Sequence, residues 1–202
     1  MFDWYEDEVR GHEGKLALRA KPELRGRVVL YGSSTLRLWE QFDSHFPELS
    51  FVNLAFGGST LEACAYFFER LIPPCDPRSI VFYAGDNDLG DGHEPNKVID
   101  SLKTLLDKVD RAGLGEIPFA FIAIKPSIAR WPLRDKIRKV NQVAEQWMAE
   151  RPNRHYLDIW PPMLNEHGHP RKELYVEDGL HLSWDGYDVW ADVLRAHANS
   201  IF

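Results

Sequence analysis

Cysteine is scarce in this chain: Cys64 and Cys75 are the only two among 202 residues. Two thiols cannot build a disulfide framework, and their spacing does not form the C-x-x-C pair that holds zinc or exchanges disulfides. We therefore expect two reduced, partly buried thiols that act as small apolar side chains.

Long apolar runs and concentrated positive charge are also missing. No stretch approaches the roughly 18 apolar residues of a membrane-spanning helix, and the first turn is acidic where a signal peptide would be basic. The 24 Lys and Arg residues are scattered and are outnumbered by 31 Asp and Glu residues. Nucleic acids and anionic membranes attract clustered positive charge. We therefore predict a cytoplasmic protein with no nucleic-acid partner and no membrane span.

What the sequence does contain is an alternation of short strand patterns with longer helix patterns. Hydrophobic residues make up 44% of the chain and charged residues 27%, which is the balance of a folded globular domain. Short apolar segments rich in β-branched and aromatic residues predict strands that are covered on both faces. The predicted strands are 27–31, 51–54, 79–84, 119–124 and 155–159.

Apolar residues at helical spacing fill the stretches between these strands. They predict helices over 60–72, 95–111 and 134–151, and a last helix that follows Ser183 as its N-cap. The alternation predicts an α/β protein with a three-layer α/β/α flavodoxin-like fold and a five-stranded parallel sheet. We expect residues 1–202 to form a single domain, with 1–20 as an N-terminal helical extension.

Polar and glycine-rich segments follow the first four predicted strands. Ligands of open parallel sheets bind beyond the carboxyl ends of the strands, so these segments should converge at one edge. A long irregular stretch, 161–182, exceeds the usual loop length and is a candidate functional loop. The four segments are Gly32-Ser33-Ser34, Asn53-Leu54-Ala55-Phe56-Gly57-Gly58, Gly85-Asp86-Asn87-Asp88 and Lys125-Pro126-Ser127.

Ser34, Asp178 and His181 have the side chains of a nucleophile, an orienting carboxylate and a general base. Asp178 precedes His181 by three residues and can hold one ring nitrogen while the other takes the serine proton. Ser34 is predicted at the start of a helix, where amide groups stabilise negative charge. Taken singly, a helix-capping Ser34 and a solvated His181 remain alternatives.

Gly58 and Asn87 are candidates for stabilising an oxyanion. A backbone amide beside a glycine and an Asn carboxamide supply N–H groups without adding charge. The alternatives are a left-handed turn at Gly58 and an Asx turn at Asn87. The serine segment is not a G-x-S-x-G elbow, because Leu36 stands at the last glycine position, which weakens an α/β-hydrolase assignment.

Together these segments resemble the SGNH, or GDSL-type, hydrolase superfamily over nearly the whole chain, from about 27 to 194. Gly32-Ser33-Ser34 matches the G-D-S block, 53–58 the N-x-G-x-x-G block, and 85–88 the G-x-N-D block. Asp178-Gly179-Leu180-His181 matches the final D-x-x-H block.

The resemblance implies a role for each matching residue. Ser34 is the nucleophile, His181 the base, and Asp178 the residue that holds the base. Gly58 and Asn87 form the oxyanion hole, with the amide of Ser34 as a third donor. Two positions depart from the family pattern: Ser33 replaces the Asp of G-D-S, and Ala55 replaces the first Gly of the second block.

The function implied is that of a metal-independent serine esterase or acylhydrolase that uses no cofactor. It would cleave a small carboxylic ester or thioester, as its small-molecule partner, through an acyl-enzyme intermediate. Three alternatives stay open: a catalytically inactive SGNH-like binding module, a carbohydrate O-acetyl esterase, and a nucleotide-binding flavodoxin-like protein. The last is disfavoured because the sequence has no phosphate-cradling glycine loop.

Two metal motifs fail on inspection. The segment 86–93 departs from the EF-hand template at Gly90 and Asp91. His167 and His169 have no third ligand at a recognised spacing.

Large aromatic side chains are candidates for the walls of an acyl or alcohol pocket, with core packing as the alternative. Arg37 and Arg130 are candidates for binding an anionic group of the substrate. The aromatic candidates are Trp39, Trp131, Tyr175 and Trp184.

Overall fold

Five parallel strands form one sheet in the order β2-β1-β3-β4-β5 in the computed structural model, which describes residues 2–18 and 21–202. This is the flavodoxin-like strand order, and the predicted three-layer α/β/α fold is confirmed. Of the predicted N-terminal segment 1–20, residues 1, 19 and 20 lie outside the described residues. The strands are β1 Val28–Gly32, β2 Phe51–Asn53, β3 Ser79–Tyr83, β4 Phe119–Ile122 and β5 Arg154–Leu157.

The helices are α1 Glu6–Ala17, α2 Lys21–Leu24, α3 Ser34–Arg37, α4 Phe42–His45, α5 Leu61–Leu71, α6 Asp86–Gly90, α7 Pro95–Arg111, α8 Arg134–Ala149, α9 Trp184–Ala196 and α10 Ala198–Ile201. The longer helices α5, α7, α8 and α9 lie where apolar residues recur at helical spacing. Side-chain N-caps fix the first residues of α5 and α9. Thr60 Oγ1 accepts the Ala63 N–H at 3.1 Å, and Ser183 Oγ accepts the Gly186 N–H at 3.2 Å.

The strands differ from the prediction by one or two residues at their ends, and β4 shows why. Its predicted last residue, Ile124, bonds to a side chain of α8 instead of a neighbouring strand. The Ile124 N–H donates to Asn141 Oδ1, and Asn141 Nδ2 donates to the Ile124 carbonyl, both at 2.9 Å. A side-chain amide has replaced the sheet ladder, so the strand ends at Ile122.

The core consists of two apolar layers on opposite faces of the sheet. Alternate residues of β1 point to opposite layers, Val29 to the first and Leu30 to the second. Helices α1, α5, α7 and α8 cover the first face, and α3, α4, α9 and α10 cover the second. Cys64 and Cys75 are both fully buried.

Gly32 positions the first polar segment. Its φ is +137°, and a Cβ there would collide with the backbone of Tyr83 on the neighbouring strand. This close approach allows the Ser33 N–H to donate to the Tyr83 carbonyl at 2.8 Å. The chain then turns directly into α3, so Ser34 lies at the carboxyl edge of the sheet. Only glycine permits that turn.

No helix formed by residues 2–18 and 21–202 combines the length and apolar character required to cross a bilayer.

Candidate active site

Three side chains from distant parts of the chain form a hydrogen-bonded line at the carboxyl edge of the sheet. Ser34 Oγ lies 3.0 Å from His181 Nε2, and His181 Nδ1 lies 2.6 Å from Asp178 Oδ2. A carboxylate only accepts hydrogen bonds, so Nδ1 carries the proton and Nε2 is left to accept the serine proton. This is the arrangement that activates a serine hydroxyl.

Asp178 is held by its own loop as well as by the imidazole. Its Oδ1 accepts the N–H groups of Leu180 at 2.8 Å and of His181 at 2.9 Å. Partial burial raises the pKa of Asp178. Hydrogen bonds from the His181 ring and from these two amides lower it by more, so the net shift of the pKa is downward. The net effect favours the ionised carboxylate of Asp178.

The loop that carries this pair is closed by backbone hydrogen bonds. Tyr175 and Leu182 form an antiparallel bridge, and the Val176 N–H donates to the His181 carbonyl at 3.0 Å. The Ala129 N–H donates to the Gly179 carbonyl at 3.0 Å, which ties the loop to the segment after β4. A local turn thus presents the His181 imidazole toward Ser34.

Asn87 lies in the first turn of α6, which follows β3, the strand that neighbours β1. Asn87 Nδ2 donates one hydrogen to the Ser59 carbonyl at 3.0 Å. An amide nitrogen has two hydrogens, and the bond to Ser59 fixes the direction of the second. Gly85, with φ +119°, supplies the backbone turn that precedes this helix.

Residues 55–58 follow β2 and, because they contain the predicted oxyanion donor Gly58, are here named the oxyanion loop. Asn53, the last residue of β2, anchors the start of this loop. Its Oδ1 accepts the Ala55 N–H at 3.1 Å, and its Nδ2 donates to the Leu36 carbonyl of α3 at 2.8 Å. The Phe56 N–H donates to the Gly32 carbonyl at 3.0 Å. Gly58 has φ +64°, a left-handed conformation that favours glycine. The loop therefore runs beside the Ser34 segment.

A buried lysine joins the two sides. Lys125 Nζ, fully buried, donates to Asp86 Oδ2 at 2.8 Å, to Tyr83 Oη at 2.9 Å and to Thr35 Oγ1 at 3.0 Å. Burial alone raises the pKa of Asp86, but the Lys125 ammonium outweighs it and lowers the pKa overall. Thr35 follows Ser34 and Asp86 precedes Asn87, so Lys125 fixes the spacing between α3 and α6.

Known proteins resemble this chain over most of its length. A sequence profile of the GDSL-like lipase/acylhydrolase family matches residues 28–189. The chain belongs to this family. The platelet-activating factor acetylhydrolase IB subunit alpha1 of Bos taurus is 27% identical over 169 residues, which are 79% of this chain and 69% of that protein.

Solved structures agree on the fold. A GDSL-like lipase from Bacteroides thetaiotaomicron has a TM-score of 0.79 at 18% identity, and the match covers 96% of this chain and 98% of that one. A carbohydrate esterase family 3 protein from Talaromyces cellulolyticus has a TM-score of 0.69 at 17% identity, covering 86% and 96%. GDSL-like acylhydrolases act on esters, and the chain has the fold of that class.

The two departures from the family pattern have separate explanations. Ala55 is accommodated because its φ lies outside the left-handed region, so the backbone does not require glycine. Ser33, in place of Asp, is buried, and its Oγ has no hydrogen-bond partner within residues 2–18 and 21–202. Its backbone N–H still holds the turn through Tyr83.

The two buried carboxylates of α6 already bind groups of the protein, which disfavours a calcium site there. Asp86 pairs with Lys125, and Asp88 Oδ2 accepts the N–H of Leu61 at the start of α5, at 2.8 Å. Burial raises the pKa of Asp88 to about 6. In the part of the chain that the structure describes, no group of three or more His, Cys, Asp or Glu residues is placed to hold a metal ion.

The aromatic candidates separate into three groups. Trp39 is 2% exposed and stacks on Tyr187 at 5.3 Å between ring centroids, so core packing explains it. Trp131 and Tyr175 line a groove of about 750 Å³ that runs beside Asp178 and Gly179. Trp184 is 69% exposed at the start of α9.

The two candidate arginines also differ. Arg37 pairs with Glu8, at 3.5 Å between Nε and Oε1. The guanidinium of Arg130 packs where a Cβ of Gly90 would lie, and its Nε is buried without a hydrogen-bond partner among the described residues. Its charge helps to lower the pKa of Asp86. Binding of an anionic substrate group by Arg37 or Arg130 stays a prediction.

Sequence reasoning placed the segment 125–127 at the correct edge but gave Lys125 no role. It also missed Tyr5, Glu8 and His12, which contact the oxyanion loop. The available signal for Lys125 was a lysine that directly follows the apolar predicted strand 119–124. Nothing in the local pattern near the N-terminus indicated the others.

Proposed function

We propose that the protein is a serine esterase that cleaves a small carboxylic ester or thioester by acyl transfer, with Ser34 as nucleophile. The observation that carries this proposal is the continuous line from Ser34 through His181 to Asp178, with separations of 3.0 and 2.6 Å. Such a line gives the serine hydroxyl a base of the correct tautomer.

In the first step, Ser34 Oγ attacks the carbonyl carbon of the ester while its proton moves to His181 Nε2. The carbonyl oxygen takes the electron pair of the broken π bond and becomes an oxyanion. Asp178 stabilises the imidazolium that forms. The second Nδ2 hydrogen of Asn87 and the backbone amides of Gly58 and Ser34 donate to the oxyanion.

The tetrahedral intermediate then collapses. The bond to the leaving alcohol or thiol breaks, and His181 gives that group its proton. Water next attacks the acyl-Ser34 carbonyl while His181 takes a water proton, and a second collapse releases the carboxylic acid and regenerates the hydroxyl. No step in this scheme requires a metal ion or an organic cofactor.

A short acyl group is the substrate feature that the comparisons favour. The bovine relative is named as an acetylhydrolase, and we extend that preference to this chain. The groove beside Asp178, walled by Trp131 and Tyr175, could receive an apolar alcohol portion. Its lining is apolar enough to favour such a group over water.

The test combines covalent labelling with turnover. Wild-type protein treated with a fluorophosphonate should gain one adduct, located at Ser34 by peptide mass spectrometry. Ser34→Ala should lose the adduct and essentially all hydrolysis of p-nitrophenyl acetate, while Ser44→Ala, a change at an exposed serine of α4, should keep both. Longer p-nitrophenyl esters, acyl-thioesters and acetylated sugars in the same assay define the acyl and alcohol preference.

Two outcomes would overturn the proposal. Turnover retained by Ser34→Ala would exclude this nucleophile. An unlabelled wild-type protein that also hydrolyses none of these substrates would indicate the inactive binding module.

A further inference from the structure

Helix α1 lies outside the segment matched by the family profile, which begins at residue 28, yet it touches the oxyanion loop. Three side chains make the contact: Glu8 and His12 of α1, and Tyr5, the residue that directly precedes α1. Tyr5 Oη–H donates to the Gly58 carbonyl at 3.1 Å, Glu8 Oε2 accepts the Gly57 N–H at 2.8 Å, and His12 Nε2 donates to the Ala55 carbonyl at 3.1 Å.

The spacing of these residues explains why one helix can reach the whole loop. Residues 5, 8 and 12 differ by three and four positions, which places them on one face. The loop runs along that face, so successive turns of the helix meet successive peptide groups. His12 is buried, so the packing around it restricts movement of its ring away from the Ala55 carbonyl.

Two of these contacts hold the peptide groups on either side of the peptide that carries the Gly58 N–H. Glu8 holds the peptide group that carries the Gly57 N–H, and Tyr5 holds the one that carries the Gly58 carbonyl. The peptide between them carries the Gly58 N–H, the amide assigned to the oxyanion. Two adjacent glycines leave the backbone unusually free to rotate, so outside contacts are required to keep that N–H aimed.

Glu8 also reaches the helix of the nucleophile. Its Oε1 lies 3.5 Å from Arg37 Nε, and Arg37 is three residues after Ser34 on α3. A Cβ at Gly57 would meet both the Arg37 guanidinium and Glu8 at 3.3 to 3.4 Å. One carboxylate therefore contacts α3 and the oxyanion loop together.

The attachment of α1 to the rest of the protein has other sources. Val9 and Leu16 are buried in the first core layer. Arg70 of α5 donates to Glu13 at 2.8 Å and to Glu6 at 2.7 Å. Docking of α1 can therefore be weakened at Glu13 without touching the loop, which makes the two roles separable.

We propose that α1 is a positioning element for the oxyanion loop, with Glu8 as the principal positioning residue and Tyr5 as its partner. The proposal rests on the proposed serine-esterase function. It assigns to the N-terminal segment a role in the rate of the chemical step rather than in substrate binding.

The experiment compares Glu8→Ala, Glu8→Gln and Glu13→Ala in the full chain. Removing a whole oxyanion donor costs about 10²- to 10³-fold in kcat, so misaligning one should cost about 10- to 100-fold in Glu8→Ala. KM should change less than about twofold, because the lost interaction acts in the transition state. Glu8→Gln keeps an acceptor for the Gly57 N–H and should recover most of the rate.

Tyr5→Phe provides a second variant that keeps the ring packed against Phe56, 5.4 Å away, and removes only the hydroxyl. Tyr5→Phe should lower kcat, but by a smaller factor than Glu8→Ala does, and KM should stay unchanged. Glu13→Ala should leave kcat near the wild-type value. Equal losses of kcat in Glu13→Ala and Glu8→Ala would overturn the proposal, because α1 would then act only through docking.

Hydrogen exchange of peptides that cover 55–58 gives a readout independent of turnover. Glu8→Ala should exchange faster there than wild type, whereas Glu13→Ala should not. Unchanged exchange in Glu8→Ala overturns the positioning role even if the enzyme is active. If the wild-type protein shows no labelling and no turnover, the esterase proposal fails. Faster exchange in Glu8→Ala than in wild type would then still support the positioning role.

Discussion

The two sides of the candidate site are built in opposite ways. The acid–base side is short-range and open to solvent: Asp178 and His181 are three residues apart, and their side chains are 47% and 29% exposed. The proposed oxyanion side is long-range and rests on buried groups: Asn87 is fixed by Ser59, and the buried Asp86 beside it is fixed by the buried Lys125.

The difference separates chemistry from stability. A local turn can hold a base without help from the core, so a change there should affect the reaction and little else. The oxyanion side shares its buried charges with the framework, because Lys125 bonds to α3, β3 and α6 at once. A change there should disturb the fold together with the rate.

The largest effect is expected from Asp178→Asn. The amide would hold the imidazole in the wrong tautomer, and kcat should fall by about 10⁴-fold. The free energy of unfolding should stay nearly constant, since the side chain is half exposed. Steady-state kinetics and urea denaturation check the two parts, with Glu166→Gln, at an exposed position in the same 161–182 stretch, as control. A large loss of stability would show that the acid–base side is not separable from the fold.

Next in size is the loss of stability in Asp86→Asn. Removal of this carboxylate leaves the Lys125 ammonium buried without its counter-charge, which should cost about 3–5 kcal/mol in the free energy of unfolding. The double variant Asp86→Asn with Lys125→Met removes both charges and should recover most of that loss. Urea unfolding measures both variants, and a single variant as stable as wild type would contradict the comparison.

Asn87→Ala should act mainly on the rate. Loss of one oxyanion donor should raise the barrier by about 2.7–4 kcal/mol, and the lost bond to Ser59 should lower stability by only about 1 kcal/mol. Asn96→Ala on the exposed face of α7 is the matched control. A decrease in kcat of less than about tenfold would place Asn87 in a structural role.

The smallest effect concerns pH and His12. Burial lowers the pKa of His12 from 6.5, although the bond to the Ala55 carbonyl opposes the shift. Below pH 6.5 the unfolded chain therefore takes up a proton before the folded one does. Stability from this group is complete above pH 6.5 and is lost as the pH falls toward the folded pKa.

His12→Gln removes that titration. Unfolding free energies measured from about pH 8 to pH 5 should fall less steeply in this variant than in wild type. His167→Gln, at an exposed position, should follow the wild-type curve. Parallel curves for wild type and His12→Gln would show that His12 is not held neutral.

Much of the fold could be predicted because its signals are periodic and local. The predicted bounds of α7 are those observed, and the strands begin and end within two residues of the prediction. The end of β4 could not be read from its apolar residues, because Asn141 on α8 supplies the bonds that replace the ladder. The core position of Trp39 depends in the same way on Tyr187 of α9.

By itself, the sequence determined the alternation of strands and helices, and it determined the local turn that joins Asp178 to His181, because both depend on neighbours a few residues apart. It also marked Ser34, Gly58 and Asn87 as belonging to one edge. Only the tertiary structure decided that Glu8 reaches Gly57 across 49 residues, that Lys125 meets Asp86 across 39, and that Arg37 is paired with Glu8. Such contacts depend on how whole elements pack, and no short-range pattern carries that information.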